Sequence, residues 1–524
     1  MSTSSARPSR GRANIAFLDY DNLERYGTYT RLHFEDRSFT NAEELLYAGK
    51  IARMLLEKGI QPGDRVLTVM QNTPELTATF QAVWTVGAAI VPVNPQWTVA
   101  DLTYVLDHSG AVAVLTVPAL AARVHEAAAN CQSSPRLLCF GESGTADFEN
   151  IEPEIAEAAV FSTPVEREAS DMAMLLYTSG TTARPKGVIV THGNVPEAME
   201  AVNRVNPSLP RRAILHVLPM NHIFGVLMVQ LSNRWGFPSV LMRQFDPVAI
   251  FKAIQKHQIG YVLMVPTMLV YLLHHPERPK YDFSSLYRII TGGANLPEPL
   301  RLSFQQAFRC RVDQGYGMSE TGFISCYGDH ETYRTGSAGW PCPGFEIRIV
   351  DDHGRALPPP TVGEICVQGA SVTPGYWNDP VASSLAFRDN WFYTGDVGYM
   401  DSNGYLYITD RKKDLIIKGG ENISPSEIEH VIYQHPAVAE TAVVGIPDAE
   451  FGEEICAVVQ LRVGMKATEA EIREHAARFL GKFKIPSRIV FQNELPRTGT
   501  GKIHKQTLRE QLAKIGQTEL LDAK

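Results

Sequence analysis

The sequence predicts an α/β protein: a large N-terminal domain of two βαβ-type layered subdomains plus a small β-barrel-like part, then a small α+β domain. Three observations predict it. Apolar strand-like runs alternate with helical patterns between Asp64 and Thr116, which is the pattern of βαβ units on a parallel sheet. The same alternation returns between Arg212 and Thr291 as strand, apolar helix, strand, helix, strand. After about Arg334 the texture changes to short strands with frequent Gly and Pro, which suggests a small antiparallel barrel or sheet.

Each element has a local reason. Asp64 to Met70 reads as a buried strand, and Thr73-Pro74-Glu75 reads as a helix start with Thr as N-cap and Pro at the first helical position. That helix is expected to run to about Ala88, followed by a short strand Ile90 to Val93, another helix and the strand Ala111 to Thr116. A charged knot, Asp410 to Asp414, gives the sharpest composition break in the second half. A compact α/β segment of about a hundred residues follows, ending near Leu512.

The chain has 524 residues, room for about three domains. Its composition, 44% hydrophobic, 20% charged and 9% aromatic, is that of an ordinary soluble enzyme. A formal net charge of −8 gives no support for nucleic-acid binding, which needs a basic face. It leaves room for a locally basic site that takes an anion. Seven cysteines without a C-x-x-C pair fit reduced thiols and argue against a zinc site or a disulfide framework. The longest apolar run, Ile259 to Leu273, contains Pro266 and is too short for a membrane span. Met1 to Ala13 is Ser/Arg-rich without an apolar signal core and reads as a disordered tail, with a transit peptide as the alternative. The expected location is cytoplasmic.

At residues 177 to 188 the chain reads Y-T-S-G-T-T-A-R-P-K-G-V, directly after the apolar run Met172 to Leu176 and before Val188-Ile-Val190. A turn rich in hydroxyls and glycine between two strands aims N–H groups and hydroxyls at one point, as a polyphosphate requires. The spacing is not that of a Walker loop, which needs G-x-x-x-x-G-K-[ST]: Gly180 is followed five residues on by Pro185.

T-S-G-T-T-x-x-P-K-G, with Gly315-Tyr-Gly-Met-Ser-Glu-Thr321, Thr394-Gly-Asp396 and Pro496-Arg-Thr-Gly-Thr-Gly-Lys502, resembles the adenylate-forming superfamily. Its members are acyl-CoA synthetases, luciferases and peptide-synthetase adenylation domains. The resemblance covers nearly the whole chain, with four motifs in the family's order. It implies ATP, Mg²⁺ and CoA as cofactors, a small-molecule carboxylic acid as substrate, and a small domain that moves. The expected organisation is a tail (1–13), a large adenylation domain (14–410), a hinge (411–414) and a mobile C-terminal domain (415–524).

By this resemblance Thr178, Ser179, Gly180, Thr181 and Thr182 wrap the β- and γ-phosphates, with Lys186 nearby. Glu320 holds Mg²⁺ with a loop hydroxyl, Thr178 or Thr181, since hard oxygens suit that ion. In isolation a glutamate is usually a solvated surface residue; its place in Y-G-M-S-E-T argues otherwise. Gly292, Gly293 and Ala294 let adenine lie against backbone, Tyr316 stacks on the purine, and Asp313, Gln314, Gly315, Gly317 and Ser319 lie beside it. Asp396 accepts from the ribose hydroxyls, and Arg411 approaches the same ring. Lys502 bridges the substrate carboxylate and the α-phosphate, a task for a mobile point charge. His222, Phe224 and Gly225 border the acyl group, and the apolar stretches Val226 to Leu231 and Val262 to Val270 favour an apolar acyl or aryl acid. Arg234 and Arg243 are candidates for a second carboxylate. Lys413 is the hinge, and Gly419 and Gly420 line the pantetheine tunnel.

Two residues depart from the family's pattern: Ala183 stands where Gly is usual, which puts the loop geometry in question, and Asn295 stands where Pro is common. The expected activity is an AMP-forming acyl-CoA synthetase. Three alternatives stay open: an acyl-AMP ligase loading a separate carrier protein, a luciferase-like oxygenase, and a nucleotide-binding relative without turnover. A homodimer is also left open.

Overall fold

The structure is a computed structural model that describes residues 13–178, 184–329, 331–448, 450–497 and 502–522. Two seven-stranded sheets form its larger part. In the first, neighbouring strands run in the order Glu149–Asn150, Arg136–Cys139, Ala113–Thr116, Arg65–Val69, Ala89–Val93, Met172–Thr178, Lys186–Thr191. All of these pairs are parallel except the last, an antiparallel hairpin. In the second the order is Arg311–Gln314, Arg288–Thr291, Ile259–Met264, Ala213–His216, Ser239–Leu241, Thr30–Phe34, Arg37–Thr40.

The predicted N-cap is present: Thr73 accepts from the Leu76 N–H, with Pro74 opening the helix Pro74–Thr85. That helix is buried at every position but Glu75, so it is apolar on all sides because it lies inside the core. It ends at Thr85 rather than near Ala88, because Gly87 takes φ +77° and turns the chain into the next strand. One apolar cluster contains Leu176 and Val188 of the first sheet together with Ile214 and Leu263 of the second, so the two sheets share a core.

One expectation is corrected and two parts of the fold are made specific. The second alternating region holds one more strand–helix unit than read from sequence, because the run Ile259 to Leu273 splits at Pro266 into a strand and the helix Pro266–His274. The hairpin Thr30–Phe34/Arg37–Thr40 was not read as strands; it pairs in parallel with Ser239–Leu241, some two hundred residues away in the chain. The part expected to be a small antiparallel barrel or sheet takes the form of two antiparallel sheets, of three and five strands, over a common core of Ile324, Ile349, Ile365, Val367, Phe392 and Leu406.

The C-terminal sheet is built wholly from residues after Leu415, with Gly452–Leu461 at its centre against Val438–Asp448, Ile416–Lys418 and Arg488–Phe491. No helix among the described residues is long and apolar enough to cross a membrane.

A buried charge cluster ties the second sheet together. Arg288, 2% exposed, donates from Nε to Asp313 Oδ2 at 2.6 Å, from Nη1 to Asn206 Oδ1 at 2.8 Å and from Nη2 to the Tyr327 carbonyl at 2.6 Å. Arg311 donates to the same Asp313 carboxylate at 2.9 Å. Removing one partner of such a pair leaves the other charge buried and uncompensated. Arg288→Met is therefore expected to cost about 3–5 kcal/mol of stability, seen as a lower urea midpoint; an unchanged midpoint would refute this role.

Candidate active site

The carboxyl ends of parallel strands leave a crevice where backbone groups are free to meet a ligand. Here the ends of Ile259–Met264, Arg288–Thr291 and Arg311–Gln314 open together. Gly292 N–H donates to the Met264 carbonyl at 3.3 Å and Gly315 N–H to the Thr291 carbonyl at 2.7 Å, so these turns are held side by side. The crevice is a pocket whose walls include His222, Phe224, Gly292, Gly293, Tyr316 and Lys502.

Lys502 reaches this pocket from the C-terminal part of the chain. Its side chain crosses Gly293 so closely that a Cβ there would lie 2.5 Å from Lys502 Cε and 2.9 Å from Nζ. Gly293 also has φ +82°, so glycine serves both the turn and the passage of the lysine. Loss of solvent, then the positive charge of Arg411, pushes the Lys502 ammonium down to about 8. His222 precedes the helix Ile223–Trp235; loss of solvent, then Lys502, pushes its imidazole down to about 3, so it is neutral at pH 7.

Asp396 and Arg411 face each other across an antiparallel pair. Arg411 Nε donates to Asp396 Oδ1 at 2.7 Å, and the Tyr316 hydroxyl donates to Oδ2 at 2.7 Å. Both carboxylate oxygens are thus engaged, one by Arg411 and one by Tyr316. Glu320 is buried, accepts from the Tyr376 hydroxyl at 2.9 Å through Oε1, and is pushed up by burial. Lys186 sits with Nζ 5.2 Å from the centre of the Tyr376 ring, so Tyr376 links the hairpin's lysine to Glu320. Thr178 pairs with Lys186 at the mouth of that hairpin. Ser179, Gly180, Thr181, Thr182 and Ala183 lie outside the described residues.

Several residues expected at the nucleotide have other surroundings. The Asp313 carboxylate is committed to Arg288 and Arg311. Gln314 Oε1 accepts from the Leu296 N–H at 3.0 Å and shapes the Gly292–Leu296 turn from behind. Ala294 is exposed and off the pocket wall. Ser319 lines, with Glu320, a second cavity. Gly315 and Gly317 line the pocket; a Cβ on Gly317 would lie 2.0 Å from the Gly322 carbonyl. Gly225 is a spacer rather than a wall, because a Cβ there would lie 2.2 Å from the Pro219 carbonyl. Arg234 and Arg243 pair with Glu200 at 3.6 Å and Glu35 at 3.0 Å, away from the pocket wall.

Sequence reasoning missed Tyr376 and Phe323. Phe323 packs edge-on against Phe224, with ring centres 4.8 Å apart, and both rings line the pocket. Its position three residues after Glu320 was the signal available. Tyr376 is some fifty residues from Glu320 in the chain, and no local pattern marks it.

At the chain's break, Lys413 lies in the turn Lys412–Asp414. Lys412 pairs with Glu364 at 3.1 Å on one side and Asp414 with Arg509 at 3.2 Å on the other. Burial pushes the Lys413 ammonium down. Gly419 and Gly420 take φ +57° and +85° and form the two-residue turn between Ile416–Lys418 and Glu421–Ile423. The Glu320 carboxylate, with Ser319 beside it at the second cavity, offers hard oxygens to a divalent cation, while the Thr321 hydroxyl is turned to the Gly322 carbonyl at 3.0 Å. No cluster of three or more His, Cys, Asp or Glu residues occurs among the described residues. That set fits Mg²⁺, which keeps waters and shares substrate phosphates rather than entering a closed protein cage.

The model of the AMP-binding enzyme family matches residues 20–377, and that of its C-terminal domain matches residues 427–502. A long-chain-fatty-acid–CoA ligase of Bacillus subtilis (strain 168) is 32% identical, covering 94% of this chain and 93% of its own length. A feruloyl-CoA synthase of an Amycolatopsis species is 35% identical, covering 90% and 94%. The crystal structure of ATP-bound MatB from Rhodopseudomonas palustris superimposes with a TM-score of 0.88 at 30% identity, covering 96% of this chain and 99% of that one. With these matches over most of its length, the chain belongs to the AMP-binding enzymes, the adenylate-forming superfamily, close to its acyl-CoA synthetases.

Proposed function

We propose that this protein is an acyl-CoA synthetase that activates an apolar monocarboxylic acid with ATP and passes the acyl group to CoA. The observation that carries the proposal is the delivery of Lys502 into an otherwise apolar pocket between His222 and Gly293. A carboxylate is a poor electrophile because its charge repels nucleophiles and its leaving group would be oxide. In the first half-reaction a carboxylate oxygen bonds to the α-phosphorus of ATP, the bond to the β-phosphate oxygen breaks, and pyrophosphate leaves. That step brings anions together, so a cation held in a desolvated site lowers its barrier more than one in water. Lys502 supplies this charge, and neutral His222 borders the reacting carboxylate without adding a second one. Asp396 accepts from the ribose hydroxyls, with Arg411 fixing its orientation, and Tyr316 covers the base. Glu320 would hold Mg²⁺, which would supply neutralisation of the phosphate charge there.

In the second half-reaction the thiol of CoA bonds to the acyl carbon, AMP leaves as the stabilised phosphate, and the thiol proton passes to solvent. The small domain, turning about residues 411–414, withdraws Lys502 and brings Gly419 and Gly420 to the site. This deepens the idea of one movable domain completing two sites in turn. The similarity to CoA ligases of fatty and aromatic acids supports CoA as acceptor.

The acid is apolar because Leu218, Leu263, Met264, Val265, Phe224 and Phe323 wall the pocket. Among the described residues of that wall Lys502 is the one formal cation, so a second carboxylate has no partner there. Mass spectrometry of reactions with ATP, Mg²⁺ and a panel of aliphatic, aryl and dicarboxylic acids, with and without CoA, tests the proposal. Acyl-CoA and AMP are expected only with CoA, and monocarboxylic acids ahead of dicarboxylic ones. Accumulating acyl-AMP with CoA ignored would contradict it. Phe323→Ala removes one of the two rings at the pocket wall and is expected to shift the kcat/KM ratio toward bulkier acids by ~10-fold or more. An unchanged ratio across the panel would take Phe323 out of acid selection.

A further inference from the structure

The helix Pro266–His274 begins immediately after Val265, part of the pocket wall. Its buried residues, Pro266, Met268, Leu269 and Leu272, face the core of the large domain. Thr267 and Tyr271, one turn apart on another face of the same helix, meet the C-terminal part of the chain instead. Arg497 Nη1 donates to Thr267 Oγ1 at 3.0 Å, and the same hydroxyl donates to Glu440 Oε1 at 3.3 Å. Arg497 also pairs directly with Glu440, and its guanidinium lies 5.6 Å from the centre of the Tyr271 ring. Glu440 is 4% exposed, so this ion pair is shut away from water where the two parts of the chain meet.

Arg497 is tied to the residue that follows Lys502. It forms an antiparallel bridge with Ile503, and the His504 N–H donates to the Pro496 carbonyl at 2.7 Å. A fixed Arg497 therefore fixes the residue next to Lys502. We propose that Arg497, Glu440 and Thr267 form a latch that holds the small domain in the arrangement delivering Lys502. They are positioning residues for the adenylation half-reaction and have no part in thioester formation. The proposal rests on the reading of two half-reactions served by one moving domain.

The latch hydroxyl is the cleanest target, since Thr267→Val keeps shape and leaves the Arg497–Glu440 pair in place. Two rates are measured on the full-length protein: pyrophosphate exchange into ATP, and thioester formation from supplied acyl-AMP and CoA. Thr267→Val is expected to lower the exchange kcat about tenfold, the worth of one hydrogen bond to a charged group. The thioester rate should hold or rise, and Thr267→Ser should restore exchange. Arg497→Gln should move the ratio of the two rates in the same direction and further. Equal loss of both rates, or loss of neither, in Thr267→Val overturns the latch. Lys502→Ala, run alongside, separates the two ideas. If it lowers both rates equally, the two-state reading falls and the latch with it; if it lowers exchange alone while Thr267→Val does not, only the latch falls.

Discussion

An ammonium group leaves water reluctantly, and the site depends on making one do so at the right place. Lys502 enters an apolar pocket where loss of solvent and the charge of Arg411 push its pKa down to about 8. That cost is recovered when anions arrive, because a charge in a low-dielectric site interacts with them far more strongly than in water. Every other feature of the site follows from this constraint. Gly293 has no side chain because the lysine needs its space, His222 stays neutral beside it, and the docked small domain supplies the cover.

The scaffold places the receiving groups without using them twice. Arg288 and Arg311 neutralise Asp313 beneath the crevice, leaving the turns after Thr291 and Gln314 rigid and uncharged. Asp396 joins Tyr316 of the pocket wall to Arg411, which opens the Lys412–Asp414 turn. Tyr376 joins Lys186 to Glu320 in the same manner. Each link is one side chain touching two functional groups, so a shift at one end is felt at the other.

Local chemistry was legible in the sequence, and long-range pairing was not. The N-cap at Thr73 and the hairpin flanking Thr178 and Lys186 rest on neighbours in the chain, and both are present. The adenylate-forming family followed from four motifs and is confirmed by matches along the chain. The strand Thr30–Phe34 escaped because its partner, Ser239–Leu241, is distant in sequence. Asp313 was placed at the purine because it adjoins the Tyr316 motif, yet alternation along a strand turns its side chain toward Arg288. Tyr376, Phe323 and Thr267, the partner of Arg497, belong to no motif, and their contacts come from tertiary packing.

The most direct test of this account is the pH dependence of kcat/KM for pyrophosphate exchange, which reports ionisations of the free enzyme. Lys502 has its pKa lowered from 10.5 to about 8, so its charge is present below pH 8 and lost above it. The account predicts a rate that falls as pH rises through about 8, and a Lys502→Arg variant, charged throughout, in which that fall is absent. A rate that stays level to pH 10 in the unmodified protein would contradict the claim that a desolvated lysine drives the first step.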